Sequence, residues 1–327
     1  MIKRYFTLLI LVHLFSSCSE DEPKLAAPPM VIETDSVSLW IEVSKNPKST
    51  QLQKTVILNK AYQYALSTAS DSLKSKYFST LSQNLYLTGD STLFRKVNKL
   101  AISLNQKQND SLSIGNRYWD LALFFNKYSV KDSAYYAYSE AQKVFENSEE
   151  QQLSGRMYLE MAQIQSEIKD YVGSETTITR AIERLKPLSD NENLFWCYNT
   201  LGISLGGLGE VEKSQAYFNE ALYYLKSSDF DKVSEASVIN NIGVVYRNNK
   251  QYKKAIETFK TVLKTDSLII KKPSLYAKAL SNLASSKLYD NDTLGVKTLL
   301  LEAMEIKNRE NLTASLAASY FNYAEYK

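Results

Sequence analysis

The stretch Leu201–Leu222, LGISLGGLGEVEKSQAYFNEAL, decides the fold of this chain. It contains two apolar segments with helical periodicity, separated by a glycine-rich break. Gly202 lies in the first segment, and Ala221 lies in the second. A small residue on each of two helices lets their backbones approach closely, as packed antiparallel helices require. The stretch therefore predicts one antiparallel helix pair.

The same pattern recurs along the chain at a nearly constant interval of about 40 residues. The small residues that correspond to Gly202 are Ser82, Ala122, Ala162, Gly243, Ala284 and Ala324. The small or β-branched residues of the second segments are Ala101, Ala141, Ala181, Ala221, Val262 and Ala303. A bulky residue also recurs in the second segments, at Tyr138, Ile178, Phe218, Phe259 and Leu300, and Asn98 breaks this column. A period held this closely predicts a solenoid of repeated helix pairs.

The arrangement of Leu201, Gly202, Gly209, Phe218 and Ala221 resembles the tetratricopeptide repeat. The units are longer than the usual length of about 34 residues. They are similar to the extended repeats of kinesin light chains and of bacterial regulators that contain tetratricopeptide repeats. The resemblance covers residues 72–327 and implies an all-α, right-handed superhelical solenoid of antiparallel helix pairs with a period of about 40 residues. It is specific to the fold and not to the function.

The period divides the chain into segments. Residues 71–310 hold six repeats, and residues 31–70 form irregular capping helices at the N-terminal end of the solenoid. Within them, Trp40 and Ile41 stand where a first helix is expected, and Thr50–Ala69 reads as an amphipathic helix. Its predicted apolar positions include Leu52, Val56, Ala61 and Ala65. Residues 311–327 read as the first helix of an incomplete seventh repeat, so we expect the natural protein to continue beyond Lys327.

The N-terminus has the pattern of a secretory signal. Lys3 and Arg4 precede an apolar segment that is too short to span a bilayer, and together they predict a signal peptide over residues 1–17. The residues before Cys18 resemble a lipobox, which implies that Cys18 is lipidated; the alternative is an ordinary cleaved signal that happens to contain this cysteine. Residues 18–30 then form a tether. These features predict a membrane-anchored protein of the cell envelope, either periplasmic or at the cell surface.

Composition limits the available chemistry. The single histidine, His13, lies in the predicted signal, and Cys197 is the one cysteine that remains if Cys18 is lipidated. No Ser/His or Cys/His pair and no histidine or thiolate metal site can then form, and Cys197 is predicted to be a buried filler. We therefore predict no enzyme, no cofactor and no metal. Acidic and basic residues nearly balance, which argues against a nucleic-acid partner.

Two local patterns carry weaker hypotheses. Asp120 and Glu160 occupy equivalent positions on neighbouring first helices, and paired carboxylates can perform acid–base work. Arg117 and Arg156 could instead simply balance these charges. The glycine-rich break includes two glycines, Gly206 and Gly207, that the repeat does not explain; they predict a weakened helix end and a dent in the groove.

Half of the aspartates begin Asp-Ser or Asp-Thr pairs, and these are Asp35, Asp71, Asp90, Asp110, Asp132, Asp266 and Asp292. Most lie at predicted helix starts, where Asp and Ser are preferred as N-caps. The pairs, followed mainly by apolar residues, also resemble an O-glycosylation sequon of exported bacterial proteins. Capping and glycosylation both remain open.

Asparagines at one register predict a binding groove. Asn241, Asn282 and Asn322 recur just before the large apolar residue of successive first helices, which are expected to line the concave surface. An Asn amide offers a donor and an acceptor together, so it can pair with both polar groups of a peptide unit. The family resemblance implies that asparagines in this register hold the backbone of an extended peptide. The alternative is that they bond to neighbouring helices or to water.

Further residues could join this groove. The additional polar candidates are Asn199, Asn240 and Arg247, and the aromatic candidates are Tyr86, Trp119, Trp196 and Tyr289. We predict a non-enzymatic module that binds a protein or peptide outside the cytoplasm. It would be the sensing or interaction region of a longer signalling protein, with a membrane span beyond Lys327. The alternative is a lipoprotein that scaffolds an envelope assembly.

Overall fold

The computed structural model describes residues 36–88, 90–226 and 232–312, together with residues 316, 320, 323 and 324. The predicted signal, the tether, Cys18 and Asn322 lie outside these residues. The described part is helical and contains no strand. Its helices are α1 (Ser36–Ser44), α2 (Gln51–Ser67), α3 (Asp71–Thr88), α4 (Ser91–Lys107), α5 (Ser111–Lys127), α6 (Lys131–Asn147), α7 (Gln151–Glu167), α8 (Tyr171–Leu185), α9 (Asn191–Gly207), α10 (Val211–Lys226), α11 (Lys232–Asn248), α12 (Tyr252–Leu263), α13 (Leu268–Lys271), α14 (Pro273–Tyr289) and α15 (Val296–Arg309). A 3₁₀ turn, Lys186–Leu188, follows α8.

These helices pack as consecutive antiparallel pairs. The pairs are α3 with α4, α5 with α6, α7 with α8, α9 with α10, α11 with α12, and α14 with α15. The second helix of each pair also contacts the first helix of the next. First helices of neighbouring pairs also contact one another, as α3 does with α5, α7 with α9, α9 with α11, and α11 with α14. The predicted all-α solenoid of repeated helix pairs is therefore confirmed. The short helix α13 is an insertion between the α11–α12 pair and α14.

The column of small residues lies at the contact within each pair. Its described members on α3 to α14 are all buried, whereas Ala324 is exposed. At Gly202 an added Cβ would lie 2.8 Å from Phe218 Cδ1, and at Gly243 it would lie 2.6 Å from Phe259 Cε1. The bulky residue of the second helix therefore packs directly on the small residue of the first, which is why both columns keep the same period.

The turns that join consecutive helices from α4 to α10 share one geometry. Residues with positive φ recur at half the period of the repeat, at Asn109, Ser129, Glu149, Lys169, Ser189 and Gly209. Just after the first of these, the Asp110 backbone N–H donates to Asn105 O at 3.0 Å, as in a Schellman motif. Gly209 is the glycine among the six, so the sequence signals this turn plainly at one position. Joins within and between repeats are thus alike, and the two halves of a repeat are equally long.

The N-terminal helices differ in part from the prediction. Thr50 caps α2 and forms a capping box with Gln53, as a helix starting here requires. Ala61 and Ala65 are buried, but Leu52 and Val56 are 74% and 61% exposed, so their assignment to the apolar face was wrong. The buried positions of α2 are Leu58, Ala61, Tyr62 and Ala65. Their spacing defines a narrow stripe that leaves the first turns of the helix outside the core.

Some Asp-Ser pairs act as caps and others do not. Asp90 and Asp110 are N-caps whose carboxylates accept backbone N–H groups at 2.9 and 3.0 Å. Asp71 is the first residue of α3. The others that are described lie in the first turn of a helix or in a turn between helices, and these are Asp132, Asp266 and Asp292. Capping thus explains part of the pattern, and glycosylation stays a prediction.

No helix in the described ranges is both long enough and apolar enough to cross a membrane.

Candidate functional site

A cavity of about 1010 Å³ opens between the first helices α11 and α14. Trp196 of α9 and Lys307 of α15 also line it, as do Lys250 and Tyr252 at the start of α12 and Lys272 before α14. A smaller cavity of about 290 Å³ shares several of its lining residues and extends to the C-terminal end of α9. We call the two together the groove. The shared residues are Asn241, Arg247, Asn248, Lys278 and Asn282.

Asparagines cross-link the first helices beneath the groove. Asn241 Nδ2 on α11 donates to Asn199 Oδ1 on α9 at 3.1 Å. Asn282 Nδ2 on α14 donates to Asn240 Oδ1 on α11, also at 3.1 Å. Both bonds join residues that lie 42 positions apart in the sequence. In each bond, the donor asparagine stands one position further along its own repeat than the acceptor does in the preceding repeat. The amides thus form a ladder across three helices.

Arg247 extends this ladder into the groove. Its Nη1 donates to Asn282 Oδ1 at 2.8 Å, and its Nη2 donates to Asn248 Oδ1 at 3.3 Å. Asn199 and Asn240 are buried, whereas Asn241 and Arg247 are partly exposed. The inner asparagines therefore hold the outer ones in position. The structure brings five of the six predicted polar residues together, and Asn322 lies outside the described part of the chain.

The asparagines bond to neighbouring helices, as one of the two alternatives expected. Asn241 and Asn282 nevertheless line the cavity, so the same amides also face the space in which a ligand would lie. Their role in binding stays a prediction. In the described ranges, no protein group bonds to Asn241 Oδ1, which leaves an acceptor at the cavity wall.

Two lysines of the groove are residues that the sequence analysis missed. Lys278 lies one helical turn before Asn282, and Lys307 donates from Nζ to Ser281 Oγ at 2.9 Å. Desolvation lowers the pKa of Lys278, and the nearby charge of Arg247 lowers it further. Desolvation likewise lowers the pKa of Lys307, with Lys278 contributing. The repeat to which Lys278 belongs was visible in the sequence, but nothing marked this lysine as a groove residue.

Aromatic residues form part of the wall. Tyr252 and Tyr289 stack with ring centroids 5.6 Å apart, and both line the cavity together with Trp196. The other two aromatic candidates lie elsewhere. Trp119 packs under the guanidinium of Arg156, whose Cζ is 4.5 Å from the ring centroid, and Tyr86 lines neither cavity of the groove. The aromatic set is thus divided between two regions of the solenoid.

Gly206 and Gly207 do line a recess, the smaller cavity of the groove. They also permit close packing, since an added Cβ would lie 2.3 Å from Val245 Cγ2 at Gly206 and 2.4 Å from Tyr171 Cε2 at Gly207. Both glycines belong to helix α9, which continues to Gly207. The two glycines are therefore explained by contacts with α11 and with Tyr171, which the repeat pattern does not contain.

The two carboxylates at equivalent positions of neighbouring first helices have separate partners. Asp120 accepts a hydrogen bond from Ser82 Oγ at 2.9 Å and pairs with Arg117, whose Nε lies 2.8 Å away. Glu160 accepts from Tyr138 Oη at 3.3 Å. The balancing role predicted for Arg117 is thus what the geometry provides. The described residues show no contact that would couple the two carboxylates for acid–base work.

Burial raises the pKa of Asp120 to about 6, although Arg117 and Ser82 oppose the shift. Asn98, which broke the column of bulky residues, lies beside this pair. Its Nδ2 donates to Ser82 Oγ at 2.9 Å and to Arg117 O at 2.8 Å. We call Ser82, Asn98, Arg117 and Asp120 the Asp120 cluster. Asn98 departs from the column because its amide donates to the main-chain carbonyl of Arg117 and to the Ser82 hydroxyl, which in turn donates to Asp120.

Cys197 is fully buried and unpaired, and burial raises the pKa of its thiol, so it is a packing residue. In the ranges that the structure describes, no cluster of three His, Cys, Asp or Glu residues could hold a metal ion.

Comparisons with known proteins agree on the repeat. A tetratricopeptide-repeat profile matches residues 236–267, which cover most of α11 and all of α12. Photosystem I assembly protein Ycf3 of Prochlorococcus marinus subsp. pastoris is 24% identical over 88 residues. This match covers 27% of the present chain and 49% of that protein, so the chain spans about half the length of the curated relative it matches.

Solved structures resemble a larger part of the chain. The Rap conjugation gene regulator of plasmid pLS20, in complex with the Phr* peptide, is similar with a TM-score of 0.61 and 16% identity over 83% of this chain and 79% of that chain. Aspartyl phosphate phosphatase F from Bacillus subtilis gives a TM-score of 0.61 at 13% identity, over 83% of this chain and 68% of that chain. At these identities the likeness concerns the fold alone. The chain thus has the fold of a tetratricopeptide-type solenoid of helix pairs, with the groove set between its α9, α11 and α14 helices.

Proposed function

We propose that this chain is a non-enzymatic module that binds a protein or peptide along the groove. The observation that carries the proposal is the asparagine ladder beneath an open cavity. Buried Asn199 and Asn240 fix the amides of Asn241 and Asn282, so the groove presents polar groups that are already oriented. Pre-oriented amides bind a peptide backbone with little further loss of conformational entropy.

The shape of the site supports a peptide as the ligand. The groove combines two connected cavities of about 1010 and 290 Å³, with aromatic walls and polar groups at its base. First helices of a tetratricopeptide solenoid form its concave surface, and a chain in extended conformation can follow them from repeat to repeat. One structural neighbour is a regulator in complex with a peptide.

The setting that we propose is the cell envelope. The signal-like residues 1–17 and the lipobox-like residues before Cys18 support an exported, lipid-anchored chain. In this setting the groove would be the sensing region of a longer signalling protein. Replacing Cys18 by serine should abolish labelling with a fatty-acid analogue and release the protein from membranes. Unchanged labelling in Cys18→Ser would overturn the anchor.

Selection from a random heptapeptide phage library on the purified chain tests the binding function. The expected result is enrichment of peptides that bind the wild type with saturation. Asn282→Ala should weaken them about tenfold to a hundredfold, because truncating a buried hydrogen-bond partner costs about 1–3 kcal/mol. Asn84→Ala is the matched control, since Asn84 bonds within α3, to Thr80 O at 2.7 Å.

Melting temperatures are measured on the same samples. Enriched peptides that bind Asn282→Ala and the wild type equally well would place the site elsewhere on the solenoid. Failure to enrich any peptide would contradict peptide binding and favour the second candidate, an envelope lipoprotein that scaffolds an assembly through folded partners. The exposed aromatic and aliphatic side chains outside the groove, such as Tyr136 and Ile270, are the surface available for that role.

A further inference from the structure

The charges that line the groove are all of one sign. Five cationic residues border the larger cavity, and these are Arg247, Lys250, Lys272, Lys278 and Lys307. Among the described residues, no Asp or Glu lines either cavity. The whole chain is close to neutral, with 39 basic and 36 acidic residues. The local excess is therefore a property of this site and does not follow from the composition.

Among the described residues, no carboxylate forms an ion pair with the two central cations, Arg247 and Lys278. In the described ranges Arg247 donates to the neutral amides of Asn282 and Asn248, and Lys278 makes no ion pair. Glu167 acts on Lys278 from a distance, and its effect on the lysine pKa is smaller than those of desolvation and of Arg247. Arg117 differs, since it pairs directly with Asp120. Arg247 and Lys278 thus differ from a cation that serves only the fold.

The positive charges of Arg247 and Lys278 also repel each other. Desolvation lowers the pKa of Arg247 and of Lys278, and the Arg247 charge lowers the pKa of Lys278 further. Lys278 is nevertheless accessible to solvent, as expected of a side chain that stands inside an open groove. An anion placed between them would relieve both the lost hydration and the repulsion.

We infer that the groove selects a peptide with acidic side chains, whose carboxylates lie against Arg247 and Lys278 while its backbone meets the asparagine ladder. This inference rests on the proposed function and names the class of its ligand. A guanidinium presents a fork of N–H donors that suits a carboxylate, and an ammonium adds a point charge beside it. Asn241, Tyr252 and Tyr289 line the same cavity as the cations. They favour a peptide over a small inorganic anion, because a peptide offers backbone groups to the amide and side chains to the rings.

The test uses the full chain and two capped heptapeptides, in which alanine alternates with three glutamates or with three glutamines. Capping removes the terminal charges, so the peptides differ in their side chains alone. We expect the glutamate peptide to bind at least about tenfold more tightly at low salt, with the difference shrinking as salt screens the charges. The Arg247→Gln/Lys278→Gln variant should lose most of this difference, because Lys250, Lys272 and Lys307 alone remain at the cavity.

Arg95→Gln/Lys99→Gln is the matched control, since it removes one arginine and one lysine from the exposed face of α4. Should the double groove variant fail to fold, Lys278→Gln alone gives the same comparison at an exposed position. Equal binding of the two peptides to the wild type would overturn the inference and leave the proposed function standing. Inorganic phosphate that binds as tightly as the glutamate peptide would also overturn it, by assigning the site to a small anion.

Discussion

The Asp120 cluster and the groove both place arginine and asparagine side chains between first helices, yet they differ in charge and access. In the Asp120 cluster the arginine and the carboxylate are both buried, Ser82 donates to the carboxylate, and Asn98 donates to the Ser82 hydroxyl and to the main-chain carbonyl of Arg117. In the groove the arginine meets neutral amides beside an open cavity, with lysines and no carboxylate among its described lining residues. A closed, neutralised ion pair thus serves the fold, whereas an arginine in an open groove without a described counter-charge can accept an anionic ligand.

The largest expected effect comes from breaking the Asp120 pair. Asp120→Ala leaves Arg117 buried without its counter-charge, and removal of one partner from a buried pair costs about 3–5 kcal/mol. We expect a large drop in melting temperature and in the midpoint of urea unfolding, with peptide binding intact in the folded fraction. A loss smaller than about 1 kcal/mol would show that the cluster does not hold these repeats together.

The second effect concerns pH. The folded-state pKa of Asp120 is about 6, above the ordinary value of about 3.9 for the unfolded chain. Between these values the folded state binds the extra proton, so this residue makes stability fall as pH rises from about 4 to about 6, by about 2–3 kcal/mol in total. The measurement is urea unfolding at several pH values.

Asp120→Asn is the reference for that titration, because it removes the ionising group and keeps the shape. The stability of the wild type relative to this variant should fall across the window and level off above a pH of about 6. Parallel curves for the two proteins would contradict a raised pKa at Asp120. The lining of the groove lacks carboxylates in the described ranges, so its variants should leave this difference unchanged.

Adjacent asparagines of α11 allow a smaller and sharper test. Asn240 is buried and supports Asn282, whereas Asn241 faces the groove. We expect Asn240→Ala to lower stability by about 1–3 kcal/mol, since it leaves a buried partner unsatisfied. Asn241→Ala should mainly weaken peptide binding, with a smaller loss of stability. Melting temperature and affinity are measured on both variants. Equal effects of the two substitutions would contradict this division between a supporting and a ligand-facing asparagine.

The smallest expected effect has the opposite sign. Lys278→Gln removes a cation that is desolvated and lies near Arg247, so we expect stability to stay constant or to rise by up to about 0.5 kcal/mol. Arg117→Gln, the corresponding change in the Asp120 cluster, should destabilise clearly because it leaves a carboxylate buried. Thermal unfolding of the two variants side by side checks this. Destabilisation by Lys278→Gln comparable to that by Arg117→Gln would show that the groove cation serves the fold.

Much of the fold could be predicted because the solenoid is built from local contacts that repeat. Gly202 and Phe218 pack on each other within one repeat, so the spacing of the two residues in the sequence already encodes their contact. The positions of Leu52 and Val56 were mistaken because α2 buries only a narrow stripe, which apolar composition does not reveal. The shared turn geometry was visible at Gly209, whereas residues such as Lys169 adopt the same positive φ without any sequence signal.

The candidate site was predictable only in part. Asn241 and Asn282 occupy the same position in successive repeats. Since equivalent positions of a solenoid lie on the same surface, the period was enough to place both asparagines on one face. Their cross-helix partners, Asn199 and Asn240, could be named as neighbours, but the hydrogen bonds between repeats depend on how the helices stack. The sequence marked Asn98 only as an exception to the column of bulky residues. Its hydrogen bonds could not be predicted, since its partners Ser82 and Arg117 lie on two other helices.

By itself, then, the sequence determined the helix pairs, their period and the shared register of the asparagines, since these follow from residues close together in the chain. The tertiary structure alone decided which charges meet across repeats and which are buried. Lys278 and Lys307 lie near Arg247 and Ser281 through the packing of α11, α14 and α15. Arg117 and Asp120 are neighbours on α5, and packing buries the pair against Ser82 of another repeat. The electrostatic surroundings of a side chain depend on distances between repeats and on burial, and neither can be derived from the order of residues in the chain.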